Sequence, residues 1–337
     1  LAVNKLNNKG FVLFLFLVVI AFLAPLVITN SYTLHILITI FIWSMLTLGI
    51  RLIMLVGHLN AAQAGIFGMG AYASALLAIR LDLSFWLALP LAGIFCALLA
   101  IPIGYPTLRI KGTYFVMATF ALTEVFRMIW MRWSGLFGGP RGISGIPRPD
   151  AINFLWLNIR FVGKVPFYYL GLILMLITII FMYRIDNSRI GKTFRCIPQA
   201  ELLAECIGIN ILKHKVIALV IGSFFAGMAG SFYAHYSTYI SPWDYTWMKS
   251  TQMLMYAVVG GTSAVAGPVL GSFVLIGLEE WLRPLQEYVP IFTGVILILV
   301  LRFLPGGLLS IPEKVSGLTK KEGFITIPKR IRAFTKR

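Results

Sequence analysis

Apolar residues in this chain run in long blocks, with the polar residues collected between them. Seven mostly apolar segments cover about 11–29, 34–56, 62–79, 84–105, 113–131, 167–183 and 216–234. A broken apolar region follows at 251–282, and a last segment at 290–304. A helix that crosses a bilayer needs about 20 apolar residues, and most of the blocks approach or reach that length. Strands of a membrane barrel would alternate apolar and polar positions over about ten residues, a pattern the blocks lack. The chain is therefore expected to be an all-α, polytopic transmembrane helix bundle of about eight to ten spans. The first segment has no convincing small-residue cleavage site, so it is expected to remain as an anchor.

Composition supports this reading. Of 337 residues, 59% are hydrophobic and 12% charged, with mean hydropathy +0.87. Soluble domains carry about 25% charged residues, and half that amount could not solvate a globule of this size. The net charge of +17 does not point to nucleic acid. Its basic residues lie between and after the apolar blocks, where they set topology and meet anionic lipid headgroups. The three cysteines, Cys96, Cys196 and Cys206, form neither a zinc pattern nor a disulfide framework, and no metal or cofactor is expected in this chain.

Orientation follows from basic residues in short loops. With Lys5 and Lys9 in the cytoplasm, the loop holding Arg109 and Lys111 and the loop 184–215 also fall inside. The tail 311–337 carries eight Lys or Arg and is placed inside too, after a transmembrane body spanning 1–310. The 132–166 loop is then external, although it holds Arg132, Arg141, Arg148, Arg160 and Lys164. Parity adds a constraint. Between two cytoplasmic segments the crossings must be even, so 251–282 has to return to the side where it began. Its interruption at "GGTSAVAGP", Gly260 to Pro268, breaks helix continuity and marks either a re-entrant pair or two short spans. Irregular backbone at membrane depth must be buried or line a cavity, which makes Gly260 and Gly261 candidate pathway residues.

Several motifs have bland readings. "RIGKT" (Arg189 to Thr193) ends like a phosphate-binding loop, but the glycine needed five residues before Gly191 is Asp186 and no strand precedes it. "GMGAYA" (Gly68 to Ala73) lies in a small-residue helix, not after a strand. Gly70, Ser74 and Ala78 recur at four-residue spacing, as do Gly222, Ala226 and Gly230; such rows let helix backbones approach closely. "GISG" (Gly142 to Gly145) resembles an intramembrane protease motif, yet no histidine is clearly placed to serve Ser144 as a base. Glu124 and Arg127 can pair at i and i+3 inside the fifth span, as a structural pair or as part of a pathway. Arg51, His58, Asn60 and Gln63 cluster where the second span ends and the third begins. Asn60 and Gln63 join the pathway candidates, and a cytoplasmic interface is the plain alternative.

The stretch 191–210, "GKTFRCIPQAELLAECIGIN", is polar in an otherwise apolar chain. Pro198 suits a helix start, giving a helix from about Gln199 to a C-cap near Gly208 or Asn210. Glu201 and Glu205 then stack at i and i+4, with Leu202 and Cys206 on a neighbouring face. Such a helix fits a groove on a soluble partner; a helix lying on the membrane surface is the alternative.

These residues carry a resemblance. "AELLAECIGIN", then "LVIGSFFAGMAGSFYA" and "YISP", with "GHLNAAQAGIFGMGAYASALL", "LRIKGTYFVMATFALTEVFR", "GGPRGISGIP" and "VVGGTSAVAGPVLGS", resemble LivM-type permeases of branched-chain amino acid ABC importers. The likeness runs from about residue 44 to 310. Leu203 and Cys206 stand where small alanines are usual. Permeases for urea and short-chain amides share much of the pattern. The resemblance implies a multi-pass subunit of a bacterial inner membrane that catalyses no covalent chemistry. It would pair with a homologous permease, with two cytoplasmic ATPases and with an external solute-binding protein. It also implies that Gln199, Glu201, Leu202, Ala204, Glu205, Gly208 and Asn210 form the ATPase-coupling element. An ion-coupled secondary transporter is the rival class, but Glu124 is the only carboxylate clearly inside a span.

Overall fold

The computed structural model describes residues 8–28, 30–154, 157–159, 161–304 and 306–310. Lys5 and the basic tail 311–337 lie outside the described residues. The helices are α1 (Asn8–Val27), α2 (Ser31–Leu55), α3 (Gln63–Arg80), α4 (Phe85–Thr107), α5 (Thr113–Arg132), α6 (Ser134–Phe137), α7 (Lys164–Asn187), α8 (Arg189–Cys196), α9 (Glu201–Cys206), α10 (Ile211–Ser237), α11 (Trp247–Gly260), α12 (Ala266–Trp281) and α13 (Val289–Phe303). Every apolar block is a helix within a few residues. Among the described residues, α2, α4, α5, α7 and α10 are long and apolar enough to cross a membrane. α3 is less apolar because it is built from glycine and alanine, and 12 of its 18 residues are buried.

α10 is the central post, packed against α2, α3 and α4. Lipid tails are as apolar as leucine, so burial alone does not hold membrane helices together; close packing and hydrogen bonds do. The small residues supply both. A Cβ on Gly70 would strike the Gly227 carbonyl, and one on Gly230 would strike the carbonyl of Phe67. Gly222 meets Gly49 in the same way, its Cβ position 2.8 Å from the Gly49 oxygen. Ala78 and Ala226 are buried. Ser74 bonds Ser231 Oγ at 2.7 Å and His235 Nε2 at 2.9 Å.

α11 and α12 form an antiparallel hairpin joined at 261–265. Gly260 and Gly267 touch backbone to backbone near the tip, and the Tyr256 hydroxyl donates to Glu279 at 2.7 Å farther back. The helices have 14 and 16 residues, or about 21 and 24 Å, short of the ~30 Å hydrocarbon core. The hairpin lies along α2. Arg283 bonds Tyr32 at one end, Thr47 meets Ser272 at 3.1 Å, and Arg51 reaches the Thr262 carbonyl at 2.9 Å beside the tip. The region thus returns to the end of the bundle where it began, as parity requires.

That end also holds the non-helical structure. Strand β1 (Ile143–Ser144) pairs antiparallel with β4 (Tyr239–Ile240), Ile143 opposite Ile240, and β2 (Ile152–Phe154) pairs with β3 (Leu157–Ile159). Two of the loop's basic residues, at odds with an external placement by charge, are bound to backbone. Arg148 donates to the Val162 carbonyl at 3.1 Å and Lys164 to that of Ser31 at 3.0 Å. Arg160 lies outside the described residues. His235 is engaged by Ser74 and by the Pro147 carbonyl, at 2.6 Å, so it does not serve Ser144.

Two expectations follow. Thiols introduced singly by Lys249→Cys and Arg283→Cys, which line one open cleft, are labelled by an impermeant reagent from the same side, opposite to the side that labels native Cys206; labelling from opposite sides would refute the hairpin. Gly230→Val forces a side chain into backbone and destabilises the detergent-solubilised protein by about 3 kcal/mol, the upper end of overpacking costs. Gly277→Ala, where nothing lies within 4 Å, leaves the thermal midpoint within a degree or two.

Candidate coupling site and buried polar seam

The segment after α7 folds as two short helices, not one. Ser188 caps α8 by accepting from the Gly191 amide at 3.3 Å. α8 carries the "RIGKT" residues and buries Phe194, while Ile197 beyond it is also buried. α9 is shorter than the helix expected from Gln199, which sits in the intervening turn. It ends in a Schellman arrangement. Gly208 has φ +83°, its amide bonds the Glu205 carbonyl at 2.9 Å, and the Ile209 amide bonds the Ala204 carbonyl at 3.0 Å. Asn210, read as a possible end of this helix, instead starts the next, accepting from the Lys213 amide at 2.9 Å as the N-cap of α10.

Side chains of α9 divide in a way the linear pattern does not show. Ala204, which the resemblance puts in the coupling element, turns into the protein at 4% exposure. Leu202, Leu203 and Ile207 face outward at 79%, 67% and 71%, beside exposed Glu205 and Cys206. Glu201 is held within the chain by Lys111 and Lys215, each at 2.8 Å. The Lys111 hydrogen bond first, and that of Lys215 second, lower its pKa to about 2.

Behind α8 lies a buried charge cluster that joins three elements. Arg51 of α2, 0% exposed, grips both Asp186 oxygens of α7 at 3.2 and 2.5 Å. Arg195 of α8 reaches the same carboxylate at 3.0 Å. Sequence reasoning placed Arg51 near a site but missed Asp186, whose sole signal was a carboxylate at the end of an apolar block.

The pathway candidates do not converge. Asn60 and Gln63 are fully buried among helices. Asn60 accepts from the Ala62 amide at 2.9 Å, and its Nδ2 has no protein partner. It borders a cavity of ≈ 20 Å³ with Ile66, Cys96, Thr119 and Leu219, room for about one water. Gln63 donates to the Leu46 carbonyl at 3.2 Å. Thr119 and Thr123 tie α5 to Ala61 at 3.1 and 3.0 Å. Glu124 and Arg127 pair at 2.6 Å on another face of α5, their side chains only 21% and 18% exposed, with Arg127 5.2 Å from the Trp243 ring centre. Gly260 and Gly261 are used up in hairpin contacts, Gly261 against Gly306 and Gly307.

A family described as "Branched-chain amino acid transport system / permease component" matches residues 32–301. The chain belongs to this family. It is 29% identical to the high-affinity branched-chain amino acid transport system permease protein LivM of Escherichia coli (strain K12), over 80% of this chain and 68% of that one. It is 25% identical to the LivH permease protein of Salmonella typhimurium, over 77% and 88%. A probable LivM permease of Methanocaldococcus jannaschii is 26% identical over 62% and 63%. No solved structure gave a significant match. Within this permease family the matched region takes in the helical body from α2 through most of α13, including α8 and α9.

The Glu201 clip has a testable consequence. Its depressed pKa means that the clip contributes fully above the ordinary carboxyl value of 4.5 and is lost as pH falls toward about 2, so it is intact at neutral pH. Lys111 is 73% exposed and Lys215 5%, so loss of the carboxylate costs mainly through Lys215. Glu201→Gln removes that ammonium's anionic partner, at about 1–3 kcal/mol, and raises hydrogen exchange across 201–209. Lys111→Ala changes exchange there little.

Proposed function

We propose that this chain is one of two membrane subunits of an ATP-driven importer of branched-chain amino acids in a bacterial cytoplasmic membrane. The observation that carries the proposal is α9. Three large apolar side chains stand in water on a short helix whose other face is clipped to its own protein. An apolar patch on a rigid exposed helix suits a partner's groove. Two ATPase subunits dock there, at the cytoplasmic end with both termini. This chain binds no nucleotide, since its "GKT" lies in α8 without a preceding strand. The opposite end, with the 132–166 loop, receives an external solute-binding protein. The second, homologous permease lies against the face of α5 that carries Glu124 and Arg127, because a partly buried ion pair suits a protein interface or a water-filled path and is costly in lipid.

The test uses the native complex purified through a tag on this chain and sealed in vesicles. With ATP sealed inside and the solute-binding protein supplied outside, it takes up labelled leucine or valine, and labelled urea much less. Leu203→Asp with Ile207→Asp desolvates two charges in the docking groove. The pair weakens ATPase co-purification about 30-fold, equivalent to one interface hot spot of ~2 kcal/mol, while the chain stays inserted. Full retention of the ATPase and of uptake would move the docking face elsewhere. Gradient-driven uptake by the chain alone would end the ATP-driven reading.

A further inference from the structure

We infer that Asp186 and Arg51 form a relay that carries movement of α8–α9 to the tip of the α11–α12 hairpin, with Arg195 as its adjustable link. The inference rests on the coupling role proposed for α9 and adds what that role acts upon. Arg51 is wholly buried one turn from the end of α2. Ionisable groups at such depth are costly and mark functional paths. Its guanidinium faces two ways at once. The terminal nitrogens hold Asp186 in a fork, a geometry that fixes direction as well as distance, while Nε donates to the carbonyl of Thr262. Thr262 lies in the hairpin's connecting turn, so the far end of the relay is the tip itself.

The near end is α8. Gly191 sits directly on the backbone of Ile185 and Asp186, with no room for a Cβ. Phe194 and Ile197 are buried beneath, so α8 moves as a packed unit. Arg195 gives Asp186 one N–H at 3.0 Å and is about a third exposed, while its Nε has no partner. Arg51 gives two donors and is dry. The Arg195 contact is thus the weaker of the two, and the one free to break and re-form. The tip, for its part, is seated on glycine backbone: Gly260 on Gly267, and Gly261 on Gly306 and Gly307. Val265 is the tip's buried apolar anchor, and the glycine contacts around it leave little side-chain interlocking to repack when the tip shifts.

Arg195→Gln tests the relay because it spares the buried Arg51–Asp186 pair. The complex is prepared with Cys196→Ser, so that native Cys206, exposed on α9, reports ATPase docking by its protection from a thiol reagent. A second thiol, placed by Ser263→Cys with Cys206→Ser, reports the tip. In the parent complex ATP changes the labelling rate at position 263 severalfold. In Arg195→Gln, Cys206 stays protected, position 263 no longer responds to ATP, and leucine taken up per ATP hydrolysed falls about tenfold; Arg195→Lys recovers part of both. Coupling at the parent level in Arg195→Gln, or an unchanged ATP response at position 263, would overturn the relay. So would loss of Cys206 protection in Arg195→Gln that lysine restores without restoring the tip response, which would make Arg195 a docking residue. A parent complex whose Cys206 is never protected and whose uptake ignores ATP would overturn the functional reading itself.

Discussion

The structure depends on how closely α10 can approach its neighbours. In lipid a leucine gains nothing by facing another helix, so association relies on dispersion, backbone proximity and hydrogen bonds. Gly222, Gly227 and Gly230 bring α10 against Gly49, Ala92, Gly70 and Phe67 at distances no larger residue permits. The Ser74–Ser231–His235 bonds then fix the register. With α10 so placed, α2 and α3 stand where they must, and the hairpin has α2 to lie along.

A tight, small-residue centre leaves charge few places to go, and among the described residues the ion pairs other than Glu124–Arg127 of α5 lie toward the ends. At one end Arg148 and Lys164 bond carbonyls of the outer loops. At the other, Arg51, Asp186 and Arg195 join α2, α7 and α8, and Lys111, Glu201 and Lys215 join the loop before α5 to α9 and α10. Both clusters at this end meet the segment that carries exposed Leu202, Leu203 and Ile207. The α8–α9 segment is thereby tied to the bundle at two points, so that in the role proposed for α9 a push on it reaches α2, α7 and α10 and is not dissipated in a loose loop.

Much of this was legible along the chain because it is local. Block length marks a helix, a four-residue row of small side chains marks a seam, and a glycine-rich break with charge parity marks a hairpin that returns. Gly208 was legible, beside Asn210, as a candidate helix stop for the same reason: the turn is decided within a few residues. The resemblance of "AELLAECIGIN" and its companions placed the family, which the match over residues 32–301 shows.

What only the tertiary structure decided is rotation and partnership. A helix in lipid is apolar on its buried and its lipid-facing sides alike, so periodicity does not say which side turns inward. Asn60 and Gln63 therefore looked like pathway residues and lie packed between helices. Ala204 stood among the coupling residues with no face assigned to it, and it turns in. The partners of Glu201 and Arg51 lie far away in sequence, Lys111 at a separation of 90 residues and Asp186 at 135. Nothing in a local pattern links such positions. The sequence by itself determined which long segments are helices, where the 251–282 region breaks and which rows of small residues allow close packing; the fold decided which backbones touch and which charges meet, because that depends on how every helix between them is turned.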